Sequence, residues 1–135
     1  MKNLILLFSL ILSLSSCNQN EEEIINDNSI VGTWKLIEKT ASGNDGLPIW
    51  KPVSDAQSYT YTFFEDGLVI ISTNSCNGVY NLNSSNTIIK IVYDCNNSKS
   101  EGSFNFTFER NDLILSFNPD LCDEGCSQKF KKIDI

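Results

Sequence analysis

From Ser58 to Phe117 apolar side chains keep returning at every second position, and two of these runs fold back on themselves in one self-consistent register. Successive side chains of a strand point to opposite faces, so a period of two demands half-buried strands and excludes an amphipathic helix. Tyr59, Tyr61 and Phe63 alternate with Ser58, Thr60 and Thr62 in this way. With Ser85-Asn86 at the centre of a two-residue turn, Leu82 faces Ile89, Tyr80 faces Ile91, Gly78 faces Tyr93 and Cys76 faces Cys95. With Arg110-Asn111 at a second turn, Phe108 faces Leu113, Phe106 faces Leu115 and Phe104 faces Phe117. Arg110 disfavours the positive φ of such a turn, so the pairing is better specified than the turn itself. A slip of one residue would turn each apolar set to solvent.

The other strands follow from breakers and spacing. Strand one is expected from Ile30 to Lys39, opening on Gly32-Thr33-Trp34. Ser58–Phe64 and Leu68–Thr73 flank Glu65-Asp66-Gly67, a hairpin loop whose glycine can take positive φ. Ser127–Ile133 reads as a last strand whose alternation is blurred by Lys129, Lys131 and Lys132. No convincing helix is present. The expectation is an all-β fold, an antiparallel up-and-down barrel of about eight strands, the number that closes around side chains or one small ligand. A flattened barrel and a two-sheet sandwich are the alternatives. The connection Ala41–Gln57 holds the breakers Gly43, Gly46, Pro48 and Pro52 together with Leu47, Ile49 and Trp50. A loop of that length and content is either a lid over one barrel end or a segment whose Trp plugs it.

Residues 1–17 read as a signal segment. Lys2 precedes an apolar run, Leu4–Leu14, too short to span a bilayer as a mature helix. Leu14-Ser15-Ser16-Cys17 resembles the bacterial lipobox. That resemblance implies a lipoprotein with a cleaved signal peptide. Cys17 would carry diacylglycerol and an N-linked palmitate-type acyl chain, anchoring the protein in the cell envelope, with the outer membrane the expected site. Residues 18–29, with Glu21-Glu22-Glu23, form an acidic tether too poor in apolar surface to fold, and residues 30–135 form the barrel domain.

The formal net charge is −7 and the sequence pI about 4.4, which argues against a nucleic-acid partner. The chain has no His, so the usual general base and the commonest zinc ligand are missing. No catalysis, cofactor or metal is expected. Asp120, Asp123 and Glu124 offer oxygen ligands, but at the spacing of no standard calcium loop. Besides Cys17, four cysteines remain, and three connectivities are open to them. The hairpin register favours Cys76–Cys95, which leaves Cys122–Cys126, and disulfides suit an exported protein.

Gly32-x-Trp34 on the first strand, the long first connection, the Phe64-Glu65-Asp66-Gly67 hairpin and the run of short strands resemble small lipocalin-like lipoproteins over residues 30–135. The resemblance implies that Trp34 packs at the closed barrel end beneath a late basic residue, for which Lys131 or Lys132 is available. Ser75-Cys76-Asn77-Gly78-x-Tyr80 is also similar to the META domain of secreted bacterial proteins.

The functional expectation is a binding protein for a small apolar or amphipathic molecule held inside the barrel. Trp50, Tyr59, Tyr61, Phe63, Tyr80, Tyr93 and Phe106 are the candidate contacts, the tyrosine hydroxyls orienting the ligand. Space is expected at the end away from Trp34, beneath Leu47, Ile49 and Trp50. The alternative is a non-catalytic structural or interaction module with a filled core. The sequence leaves oligomeric state open.

Overall fold

The structure, a computed structural model, describes residues 29–43, 47–73, 77–95, 98–117 and 126–133. Nine strands follow one another: β1 (Gly32–Ser42), β2 (Pro48–Pro52), β3 (Thr60–Phe63), β4 (Leu68–Ile71), β5 (Asn77–Leu82), β6 (Ile88–Cys95), β7 (Ser98–Glu109), β8 (Asp112–Phe117) and β9 (Ser127–Ile133). All neighbours pair antiparallel, and β1 also pairs with β9. Strands β1 and β3 to β9 thus close into an eight-stranded barrel with β2 as one extra strand. The α-helix is absent from the described residues, which hold one 3-10 turn, Asp55–Gln57. No helix among them is long and apolar enough to cross a membrane.

Both expected hairpins form in the expected register. Gly78 pairs with Tyr93, Tyr80 with Ile91 and Leu82 with Ile89, and Phe104, Phe106 and Phe108 pair with Phe117, Leu115 and Leu113. The first turn is wider than the two residues expected. Asn83 N–H bonds Ile88 O at 3.0 Å and Asn86 N–H bonds Asn83 O at 3.0 Å, so four residues form the loop. The Asn83 Oδ1 accepts from the N–H groups of Thr87 and Ile88 at 2.8 and 2.9 Å, and Asn86 alone takes positive φ, 51°. A local side-chain bond of this kind substitutes for the tighter turn. The second turn is the two-residue kind, with Arg110 at φ 51° and Asn111 at φ 71°. Arg110 accepts the left-handed region because this backbone matches the twist of the flanking strands.

The long connection is neither lid nor plug. Its second half is β2, which lies along β1 from Glu38↔Pro52 to Ser42↔Pro48. The same edge of β1 then takes β3, from Gly32↔Phe63 to Lys35↔Thr60. The chain therefore returns along β1 as one strand broken by residues 53–59. Pro48 and Pro52 are tolerated because β2 is an edge strand. Strand β1 runs from Gly32 to Ser42 rather than from Ile30 to Lys39, and a bulge between Leu36 and Glu38 bends it.

The interior is filled by side chains. Trp34, Leu36, Phe63, Val69, Ile89, Ile91, Leu113, Leu115 and Phe130 are each less than 2% exposed. Their rings interlock: Tyr61 and Phe63 stack at 5.6 Å, and Tyr59 and Tyr61 meet Phe130 at 5.8 and 5.5 Å. Two residues expected inside, Leu82 and Phe117, are 37% and 38% exposed, because each closes its strand at a barrel rim.

Candidate functional site

The barrel has two unlike ends. At the first, where β1 begins and the turns after β3, β5 and β7 lie, Trp34 is 1% exposed and its Nε1–H donates to Ile30 O at 2.7 Å. Lys132 Nζ sits over the indole, 5.4 Å from its centroid, a cation–π geometry. Gly32 makes this possible. Its φ is +129°, and a Cβ there would lie 2.7 Å from Lys132 Cε. A side chain at residue 32 would thus meet both backbone strain and the lysine stem.

A cleft of about 630 Å³ opens to solvent at this same end. Ile30, Val31, Tyr80, Leu82, Phe106 and Phe108 give it apolar walls, and Ser29, Asn86, Thr87 and Thr107 give it a polar rim. The wall is rigid for identifiable reasons. Phe108 packs 5.8 Å from Trp34 and 5.9 Å, edge-on, from Phe106. Tyr80 stands edge-on to Phe63 at 5.1 Å, and its hydroxyl donates to Phe64 O at 2.8 Å. Among the described residues no charged side chain lines the cleft.

Deeper in the interior, from Tyr61 opposite Trp34 towards the other end, lie phenols. Tyr59 and Tyr61 meet edge-on at 5.5 Å, and the Tyr59 hydroxyl donates to Gln128 Oε1 at 2.7 Å. Tyr93 lies flat on Gly78, whose added Cβ would come within 2.7 Å of the ring. The Tyr93 hydroxyl neighbours that of Tyr61, yet its buried Oη meets no partner in hydrogen-bonding geometry. Burial pushes all three phenols up, Tyr93 to about 12 and Tyr59 and Tyr61 further, with the neighbouring tyrosines adding to the burial effect on Tyr59 and Tyr61. At neutral pH they are uncharged and can only donate or accept hydrogen bonds.

The expected contact residues therefore divide. Tyr59, Tyr61 and Tyr93 come together at the phenol end. Phe63 belongs to the filled interior, and Phe106 and Tyr80 belong to the cleft. Trp50 joins neither group. It is half-buried on β2, with Lys129 Nζ 4.4 Å above its ring, and Lys129 pairs with Glu38 at 2.7 Å. Leu47 and Ile49 are 63% and 43% exposed and cover no space. The cleft found among the described residues thus lies at the Trp34 end, not at the end expected. Tyr80, Leu82, Phe106 and Phe108 stand in the apolar pairs that the sequence shows, but Ser29 closes the expected tether and Ile30 and Val31 open the expected first strand, with no local signal that they wall a cleft.

Cys95 and Cys126 are disulfide-bonded. Cys17, Cys76 and Cys122, with Asp120, Asp123 and Glu124, lie outside the described residues. Among the described residues no group of three or more metal-binding side chains gathers. Comparison with family models, with curated proteins and with solved structures finds no match, so the reading of the site rests on its own geometry.

Proposed function

We propose that this chain is a lipid-anchored envelope protein, lipocalin-like in architecture, that binds a small amphipathic molecule without transforming it. The cleft carries the reading. Small-molecule sites measure roughly 300–1,000 Å³ and combine apolar walls with a few polar groups, and the cleft has about 630 Å³ with that division of lining. The filled interior moves the ligand from the barrel's centre to this end. Anchoring is supported by Lys2, the apolar run and Leu14-Ser15-Ser16-Cys17. The pairing Cys76–Cys95 is supported by the hairpin register, in which Gly78 pairs with Tyr93, and by Cys95 being disulfide-bonded. Cys122–Cys126 then takes the remaining pair.

A hydrophobic fluorophore titrated into the folded, full-length protein tests the binding reading. Saturable binding that weakens about tenfold in Leu82→Glu and is unchanged in Trp50→Ala is expected. Absence of saturable binding would overturn it in favour of the second reading, an interaction module with a filled core. That reading is favoured by the nine side chains buried below 2% exposure. For the anchor, wild-type protein should stay with membranes in high salt, and Cys17→Ser should release it.

A further inference from the structure

We infer that the cleft at the Trp34 end takes the acyl chain of an electroneutral lipid drawn from the membrane that holds the tether. The inference rests on the binding and anchoring readings above and names the ligand's chemical class and source.

The position of the cleft is the first argument. Ser29, Ile30 and Val31 line it, and they are where the tether joins the barrel. Residues 18–29 number twelve, which span at most about 40 Å when fully extended. The cleft is therefore the part of the barrel held nearest the anchored Cys17. The phenols lie deeper along the strands, with Tyr61 opposite Trp34 and Tyr59 hydrogen-bonded to Leu36.

The surroundings are the second. Phe64, Leu68, Leu82 and Ile88 are 37–40% exposed, and all four flank the turns of this end. Single exposed apolar residues are ordinary. Here four of them share the end that carries the tether and the cleft, where they can rest against the lipid interface.

The lining is the third. Phe106, Phe108 and Leu82 offer hydrocarbon a floor, while the hydroxyls of Thr87 and Thr107 and the amide of Asn86 offer uncharged hydrogen bonds at the mouth. Among the described residues no lysine or arginine lines the cleft to pair with a phosphate. Glu65, Asp66 and Glu109 lie in or beside the turns of the same end, which Arg110 and Lys132 share, and the chain carries −7 overall. A chain of that net charge is repelled by anionic bilayers, so the lipid taken is electroneutral.

The test uses the full-length lipidated protein in phosphatidylcholine vesicles that contain a phosphatidylcholine with a diazirine on its acyl chain. After illumination, mass spectrometry should place adducts on peptides carrying Leu82, Phe106 and Phe108. Leu82→Glu should lower that labelling about tenfold. Thr107→Glu, on the exposed rim where folding is undisturbed, should lower it comparably. Adducts confined to Leu47, Ile49 and Phe117, or no adducts, would overturn the inference. Equal labelling from an anionic phosphatidylglycerol probe would overturn the electroneutral assignment. If the fluorophore still saturates the cleft while the lipid probe leaves it unlabelled, this inference fails and the binding reading stands. If neither probe binds, both fail.

Discussion

The two ends of the barrel handle buried polarity in opposite ways. At the Trp34 end the buried polar groups are matched, the indole N–H by Ile30 O at 2.7 Å and the Thr33 hydroxyl by that of Thr62 at 3.1 Å, and the amine of Lys132 lies on a ring face. At the phenol end three hydroxyls and an amide share the interior, and the match is incomplete because the Tyr93 Oη has no bond. Burial of a polar group without a partner costs roughly 1–3 kcal/mol. The Trp34 end is thus the one on which stability depends most, and the phenol end is the one where a substitution can raise it.

Four measurements break or sharpen that contrast. Trp34→Ala should have the largest effect, about 4 kcal/mol by urea denaturation, since a buried aromatic is lost and a cavity left. Gly32→Ala should cost about 2 kcal/mol, the strain of a φ that alanine rarely adopts. Lys132→Ala should not rescue it, because the lysine stem can bend aside but the backbone cannot; a full rescue would mean that the contact dominates instead. Tyr59→Phe should destabilise by about 1 kcal/mol by leaving Gln128 unmatched, whereas Tyr93→Phe should be neutral or stabilising by a few tenths to 1 kcal/mol. A loss on Tyr93→Phe equal to that of Tyr59→Phe would show a working bond at Tyr93. The smallest effect under ordinary conditions is on pH dependence. The phenols bind their protons more tightly in the folded state than in the unfolded chain, where they titrate near 10. Their contribution is complete below pH 10 and is lost as pH rises through about 12 and above, so melting temperature should fall faster there than in the Tyr59→Phe variant.

Much of the barrel was legible in the sequence where one face was purely apolar. The β5–β6 and β7–β8 hairpins could be registered residue by residue, because only one alignment put Ile89, Ile91, Leu113 and Leu115 on the inside. Strand β9 could be delimited, Ser127 to Ile133, but its faces were obscure. The structure explains the obscurity. Gln128, Phe130 and Lys132 point towards the interior, where Gln128 serves the phenol end and Lys132 serves Trp34. A strand whose inward face carries an amide and an amine cannot show clean alternation, although Phe130 is completely buried. Strand β2 was missed because Pro48 and Pro52 read as breakers, and nothing local states that a segment pairs along one edge only. The cleft was missed because its wall combines Ser29, Ile30 and Val31 with β5 and β7, far later in the chain, a proximity that periodicity does not encode.

The seam between β1 and β9 has a consequence for the order of events in making the protein. Thr33 pairs with Ile133, and Lys39 with Gln128, so the barrel closes only when the last segment of the chain meets the first. Contacts this distant in sequence are slow to form, since the loop-closure entropy must be met before they stabilise anything. A chain threaded from its N-terminus would hold the open edge of β1 unpaired until its final residues emerged. An open edge is a template for pairing with other chains, so the interval before closure is when this protein is most exposed to aggregation, and a nascent chain lacking β9 would remain in that state.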